Sequence, residues 1–297
     1  MAEGKYIPYY RISNNPHVFV SILDANITEN VFLHVKSGHA FLFQWWTTQG
    51  RKKQYCDLKK RLDVFKDISF TILACTEYDN AKFESMGYDS IFCSPNAFVD
   101  EFIFYPIKTM KKWNAIYNAQ IVPYKRLELA KDVQGLGIIS FINENQSFNN
   151  TYRESVLNMI GREKLINRKL IDPCSVRNIL VQSKCGLILS KEEGANYATM
   201  EYLLCGIPVV TTENVGGRNE FLDHTNSITV PDNSIDIKNA VNNIANYNFY
   251  HIRENTITKM LFHRLIFYNH LKEKFGENIL DNFVFKNKLL NWISYSN

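Results

Sequence analysis

The chain has 297 residues, 45% of them hydrophobic and 22% charged, with a formal net charge of +4. No run approaches the ~20 apolar residues of a membrane-spanning helix, and Met1-Ala-Glu-Gly carries no signal-peptide pattern. The charge is modest and the aromatic residues are interleaved with aliphatic ones as in cores, which argues against nucleic-acid binding. Six cysteines without a Cys-x-x-Cys pair read as free thiols of a reducing compartment, so a cytoplasmic location is expected.

In chain order, His17–Leu23, Val31–Lys36 and Ala40–Trp46 read as strands. Gln54–Lys66 is amphipathic and basic and reads as a helix. Ser69–Thr76 reads as a strand, Tyr78–Met86 as a helix and Ser90–Cys93 as a strand. Beyond these, Ala115–Gln120, Leu136–Asn143, Cys185–Ser190, Pro208–Thr212 and Ser227–Val230 are predicted strands. Lys125–Val133, Thr151–Gly161, Ser175–Ser183, Tyr197–Cys205 and Ile235–Tyr247 are predicted helices, and from His251 the pattern is helical to the end. This alternation predicts an α/β protein with parallel sheets and right-handed crossovers.

The most informative stretch runs from Cys185 to Val210. An apolar strand ends at Ser190, and Gly194 and Asn196 interrupt the pattern, with Asn196 suited to cap a helix. That helix carries Met200, Leu203 and Leu204 at helical spacing, stops at Gly206, and Pro208 precedes the next strand. In α/β sheets ligands bind beyond the carboxyl ends of strands, where helix N-termini attract anions such as phosphate. Glu193 stands at the strand exit and Glu201 inside the helix, where its carboxylate suits a diol such as ribose.

The ordered block Ser190-x-x-Glu193-Gly194…Glu201…Gly206-x-Pro208-Val209-Val210 resembles the Glu-x7-Glu signature of retaining glycosyltransferases of family 4. Val215-Gly216-Gly217-Arg218-Asn219-Glu220 is similar to the family's Gly-Gly-x-x-Glu turn, and Tyr117–Arg126 to its strand-then-loop ending in lysine. The likeness covers roughly residues 70 to 245 and fails at Ala195, Asn196 and Tyr202. It implies the GT-B fold, two Rossmann-like domains with parallel sheets facing a cleft. About 105 residues precede the linker, so the N-terminal domain is expected to be reduced. The expected organisation is an acceptor-side domain over 1–107, a donor-binding domain over 108–264, and C-terminal helices over 265–297 that cross back to the first domain.

The resemblance implies transfer of a sugar from a nucleotide-sugar donor to a glycan or lipid-linked acceptor, with retention of anomeric configuration. Negative charge grows on the departing diphosphate, and the site must hold it with preorganised donors. Lys125 and the amides around Ala195, Asn196 and Tyr197 are the candidates, with Gly194, Gly216 and Gly217 as further donor contacts. Glu193 is expected to position the donor sugar and Glu201 to bind the nucleotide. Where the family has an arginine this chain has Gln120, and Arg126 is the candidate to supply the missing charge. No metal is expected, since the chain has no Asp-x-Asp pair and its histidines lack metal-ligand spacing. No other cofactor is implied. His34, His39, Trp45 and Trp46 read as structural.

The basic clusters at residues 51–53, 59–61 and 111–112 read as solvated faces, with contact to an anionic membrane surface as the alternative. Two other readings of the same residues stand: a non-catalytic sugar-nucleotide-binding or scaffold subunit, and a sugar-nucleotide epimerase of the same fold.

Overall fold

The computed structural model describes residues 9–140, 150–167, 169–247 and 249–280. They form two units. The first holds the described residues up to Asp100, Glu193–Ala195, and those from Lys259 onward; the second holds Glu101–Glu192 and Asn196–Thr258.

The first unit contains strands β1 (Tyr9–Asn14), β2 (His17–Ile22), β3 (Gly38–Phe43), β4 (Ile68–Ala74) and β5 (Ser90–Phe92), and helices α1 (Ala25–Val35), α2 (Lys52–Leu62) and α3 (Glu77–Ser85). Its sheet runs in sequential order β1-β2-β3-β4-β5, with β1 antiparallel and the others parallel. Consecutive crossovers of one hand, all advancing in one direction, place α1–α3 on a single face. There Ala40 and Leu42 pack with Val31, Phe32, Leu58 and Phe83. The alternate residues His39, Phe41 and Phe43 face the other way and need a second cover.

That cover comes from the 24-residue helix near the chain's end, Ile252–Phe275. From Lys259 onward it belongs to the first unit. Phe267 meets Phe41 edge-on at 4.9 Å and Phe98 at 5.7 Å, and Phe275 sits 5.2 Å from His39. Full burial of each such ring contributes about 1.5–3 kcal/mol. A polar chain pins the same helix. Lys274 Nζ donates to Asp89 Oδ2 at 2.5 Å and to Thr71 Oγ1 at 3.1 Å. Thr71 donates its one hydroxyl proton to Asp89 at 2.6 Å, so it can only accept from His39 Nε2 at 3.0 Å. His39 is thereby set as the Nε2–H tautomer, with Nδ1 accepting from Ser69 at 2.7 Å.

The second unit contains β6 (Trp113–Asn118), β7 (Leu136–Ile139), β8 (Ser183–Ile188), β9 (Val209–Thr212) and β10 (Ser227–Val230). Its helices are α4 (Asn150–Ile160), α5 (Pro173–Leu180), α6 (Tyr197–Leu204) and α7 (Ser234–Asn242), and the long terminal helix is α8. The strands lie in the order β10-β9-β8-β6-β7, all parallel. The chain moves from β6 outward to β7, then crosses back to β8. The strand order therefore reverses between β6 and β8, and ligands bind in α/β sheets at such a reversal.

Several expectations need correction. Val31–Lys36 is not a strand; it falls largely in α1. The helix is nucleated by the Asp24 side chain, which accepts from the amides of Asn26 and Ile27, and by Thr28, which donates to Ile22 O at 2.7 Å. Lys125–Val133 is not an α-helix but lies across two 3-10 turns, Pro123–Lys125 and Leu127–Ala130, separated by Arg126 at φ 54°. The strand read at Leu136–Asn143 ends at Ile139. Residues 141–143 of that segment, and 281–297 of the terminal segment, lie outside the described residues. All six cysteines are free thiols.

Candidate functional site

The carboxyl end of β6 is built by two consecutive residues of α6. Asn196 caps this helix, accepting from Thr199 N at 3.1 Å, and Gly206 at φ 70° ends it. One turn in, Glu201 Oε2 accepts from Asn118 Nδ2 at 2.5 Å. The neighbouring Tyr202 hydroxyl accepts from Asn118 N at 2.7 Å and donates to Ile116 O at 3.0 Å. Asn118, the last residue of β6, is thus held by its backbone and by its side chain. Burial pushes the Glu201 carboxyl up to about 7, and the Asn118 hydrogen bond offsets part of the rise.

Tyr202 stands where the resembling family has alanine, and the structure accommodates it from below. It is fully buried, and its ring lies over Gly186 in β8. A Cβ built on Gly186 would come within 2.4 Å of that ring. Glycine here is a requirement of close approach, so Gly186 and Tyr202 form a matched pair.

The loop after β6 carries Gln120, Lys125 and Arg126. Gln120 lies in the tight exit turn, its carbonyl accepting from Val122 N at 3.0 Å. Tyr117, buried in β6, donates its hydroxyl to Lys125 O and so fixes the turn from which the lysine projects. Lys125 Nζ lies 5.3 Å from the centre of the Tyr124 ring.

Arg126 does not meet the expectation of a charge available to a diphosphate. Its guanidinium donates to both carboxylate oxygens of Asp232, at 2.7 and 3.2 Å, and to Thr212 Oγ1 at 2.8 Å. Its Nε donates to Leu189 O at 2.6 Å. The left-handed backbone at Arg126 aims the side chain across the ends of β8 and β9, where Asp232 offsets its charge. The same pair holds the Asp232 carboxyl below the usual carboxylate range.

The Gly216-Gly217 turn delivers a side chain into the sheet edge. Gly216 takes φ 116°, outside the range of other residues. Gly217 opens a short 3-10 turn that buries Arg218 completely. The Arg218 guanidinium donates to Ser190 O, Thr212 O and, at 2.9 Å, Thr211 Oγ1. It binds the exits of β8 and β9 together. Sequence reasoning did not single out Arg218 as a site residue; an arginine inside a Gly-Gly turn after a β-branched strand is the signal that marks it.

Glu193, Gly194 and Ala195 belong to the first unit, and Glu193 is buried. Within that unit the amides of Gly194 and Ala195 both donate to Trp45 O, at 3.0 and 3.2 Å. A Cβ on Gly194 would lie 2.6 Å from that carbonyl. The Ala195 amide was expected to serve a diphosphate; here it is already committed to Trp45 O. Tyr197, at the first position of α6, is half-buried, and Asn196 is buried. Among the described residues, no group of three or more His, Cys, Asp or Glu is arranged to hold a metal ion.

No protein-family profile and no curated protein sequence matches this chain. Solved structures do match. Anabaena HepE, solved with UDP and glucose, superposes at a TM-score of 0.60 with 12% identity over 84% of this chain and 75% of that one. The sucrose-phosphate synthase of Thermosynechococcus elongatus gives 0.64 at 12% identity, over 84% of this chain and 72% of that one. The UDP-forming trehalose-phosphate synthase of Burkholderia vietnamiensis gives 0.54 at 10% identity, over 83% and 72%. The fold is that of these GT-B glycosyltransferases, an α/β architecture of two Rossmann-like units.

Proposed function

We propose that this chain is a glycosyltransferase that moves a sugar from a nucleotide-sugar donor to a glycan or lipid-linked acceptor, retaining anomeric configuration and using no metal ion. The observation that carries the reading is the clamp of Asn118 by Glu201 and Tyr202 at the β6/β8 reversal. It sets a half-buried carboxyl where an α/β sheet receives a nucleotide, in a fold shared with a protein solved with UDP and glucose.

In this reading Glu201 accepts hydrogen bonds from the ribose diol. Lys125 faces the diphosphate and stabilises the charge that grows as the C1–O bond to phosphate breaks and its electron pair leaves with the nucleotide. The new bond forms between C1 and an acceptor hydroxyl, whose proton leaves with the departing phosphate oxygen. Glu193 positions the donor sugar. Retention rests on the residue block around the two glutamates. Metal independence rests on the donor set, which lacks an Asp-x-Asp pair.

The test is a panel of sugar nucleotides with mass spectrometry of the products. Glu201→Ala should weaken nucleotide binding, and Glu193→Ala should keep binding but lose turnover. Wild-type rates in both variants would overturn the site assignment. Free nucleotide with an altered sugar, in the absence of acceptor, would identify an epimerase instead. A second reading, nucleotide binding without transfer, is favoured by the neutralisation of Arg126 by Asp232. Transfer or donor hydrolysis above background excludes it.

A further inference from the structure

The stretch Glu101–Trp113 of the second unit is tied down at both ends. Arg253 donates to Phe104 O at 2.6 Å and to Glu101 O at 2.7 Å, and Phe104 is buried. At the other end, Gln182 O accepts from the amides of Lys112 and Trp113 at 2.8 and 3.1 Å. Lys111 Nζ donates to Val181 O at 2.9 Å. Between these anchors, among the described residues, 105–110 make no backbone–backbone hydrogen bond outside the regular elements. The result is a strap with fixed ends and an exposed crest at residues 105–110.

The crest has an unusual composition. Ile107 is 37% exposed and Met110 is 89% exposed. Tyr105, also exposed, lies under the Arg177 guanidinium at 4.5 Å. Lys108, Lys111 and Lys112 alternate with these apolar side chains, and no Asp or Glu occurs between Phe102 and Leu127. Exposed apolar side chains interleaved with cations, with no acidic residue in the same stretch, make the mixed surface that interfacial binding uses. The basic cluster at residues 59–61 of α2 differs in its charge: Lys59 pairs with Asp63 and Arg61 with Glu29.

We infer that the strap from Tyr105 to Lys112 docks onto an anionic lipid bilayer. Ile107 and Met110 enter the interfacial region, and Lys108, Lys112 and Arg177 lie against acidic headgroups. The chemistry fits because apolar insertion and headgroup attraction each give marginal binding alone and add when presented together. Tyr105 and Trp113 supply the aromatic rings that favour the headgroup level.

The experiment is co-sedimentation of the full chain with phosphatidylcholine vesicles, with and without phosphatidylglycerol, at low and high salt. Binding is expected only to the anionic vesicles and should fall with salt. Lys108→Gln with Lys112→Gln should weaken it about 30-fold, taking roughly 1 kcal/mol for each basic residue near the surface. Ile107→Asp with Met110→Asp should abolish it. These side chains are exposed, so unchanged thermal unfolding and unchanged nucleotide binding establish that the variants are folded. The inference is overturned if wild type binds neither vesicle, binds neutral vesicles equally well, or is matched by the variants.

Discussion

Gly186→Ala is the sharpest structural test of the site's construction. The added methyl would lie within 2.4–2.6 Å of three atoms of the Tyr202 ring. The ring cannot swing aside without cost, because its hydroxyl is fixed to Asn118 N at 2.7 Å and to Ile116 O at 3.0 Å. Overpacking of this kind costs about 1–3 kcal/mol. Tyr202→Ala alone should cost more: roughly 3–5 kcal/mol for the cavity, plus about 1 kcal/mol for the lost hydrogen bond to the half-buried Asn118 amide. The double variant gives the new methyl the room the ring vacated. Its loss should therefore be smaller than the sum of the two single losses by about 1–3 kcal/mol. Urea and thermal unfolding measure all three; each kcal/mol corresponds to roughly 2–4 °C for a unit of this size. Because the ring also positions Asn118 against Glu201, Gly186→Ala should weaken nucleotide binding as well. A neutral Gly186→Ala, together with an additive double variant, would refute the matched pair.

Three further outcomes follow from the electrostatics. With the Glu201 carboxyl pushed up to about 7, nucleotide affinity should rise as pH increases through 7, since the carboxylate is the better acceptor for a diol, and Glu201→Gln should flatten the profile measured by calorimetry. A folded value above the ordinary 4.5 also means that Glu201's contribution to stability is full below about 4.5 and is lost as pH rises through about 7. Glu201→Gln should thus unfold later than wild type at pH 8. In the first unit, burial and then the Lys274 charge push His39 down to about 3 from an ordinary 6.5. The unfolded chain takes the proton first, so stability is full above about 6.5 and falls with acidification toward 3, by about 2 kcal/mol at pH 5. Asp89 and the neighbouring His270, both held below their ordinary values, act in the same direction. Thermal unfolding against pH, with His39→Gln as the flattened control, measures it. Finally, Arg126→Ala removes the bonds to Leu189, Thr212 and Asp232 and should lower stability by about 1–3 kcal/mol, while changing nucleotide affinity little. A large affinity loss with unchanged stability would return Arg126 to the role first expected of it.

The fold was legible where one physical signal dominated. The apolar runs of β3, β4, β8 and β9 mark buried parallel strands, and Asn196 and Gly206 mark the two ends of α6. Signals conflicted at α1, where Val31, Phe32 and Val35 suit a strand by composition yet lie on a helix nucleated by Asp24 and Thr28. β1 was missed because it is an antiparallel edge strand of mixed residues, only two of its six buried. The turn at Arg126 was misread because its left-handed backbone serves a side chain that reaches Asp232, more than a hundred positions away.

Glu193, Glu201 and the Gly-Gly turn stood out as an ordered block. Asn118, Gly186, Arg218 and Asp232 did not, because each acquires its role only when distant segments meet. Asn118 and Glu201 are 83 positions apart.

The most direct test of the central claim is hydrogen exchange of the full chain with and without nucleoside diphosphates, starting with UDP. New protection is expected in the loop after β6, residues 118–126, and in the first turns of α6 through Glu201, and it should be lost in Glu201→Ala. Absence of binding by any nucleotide, or protection confined to another edge of the sheet, would contradict it.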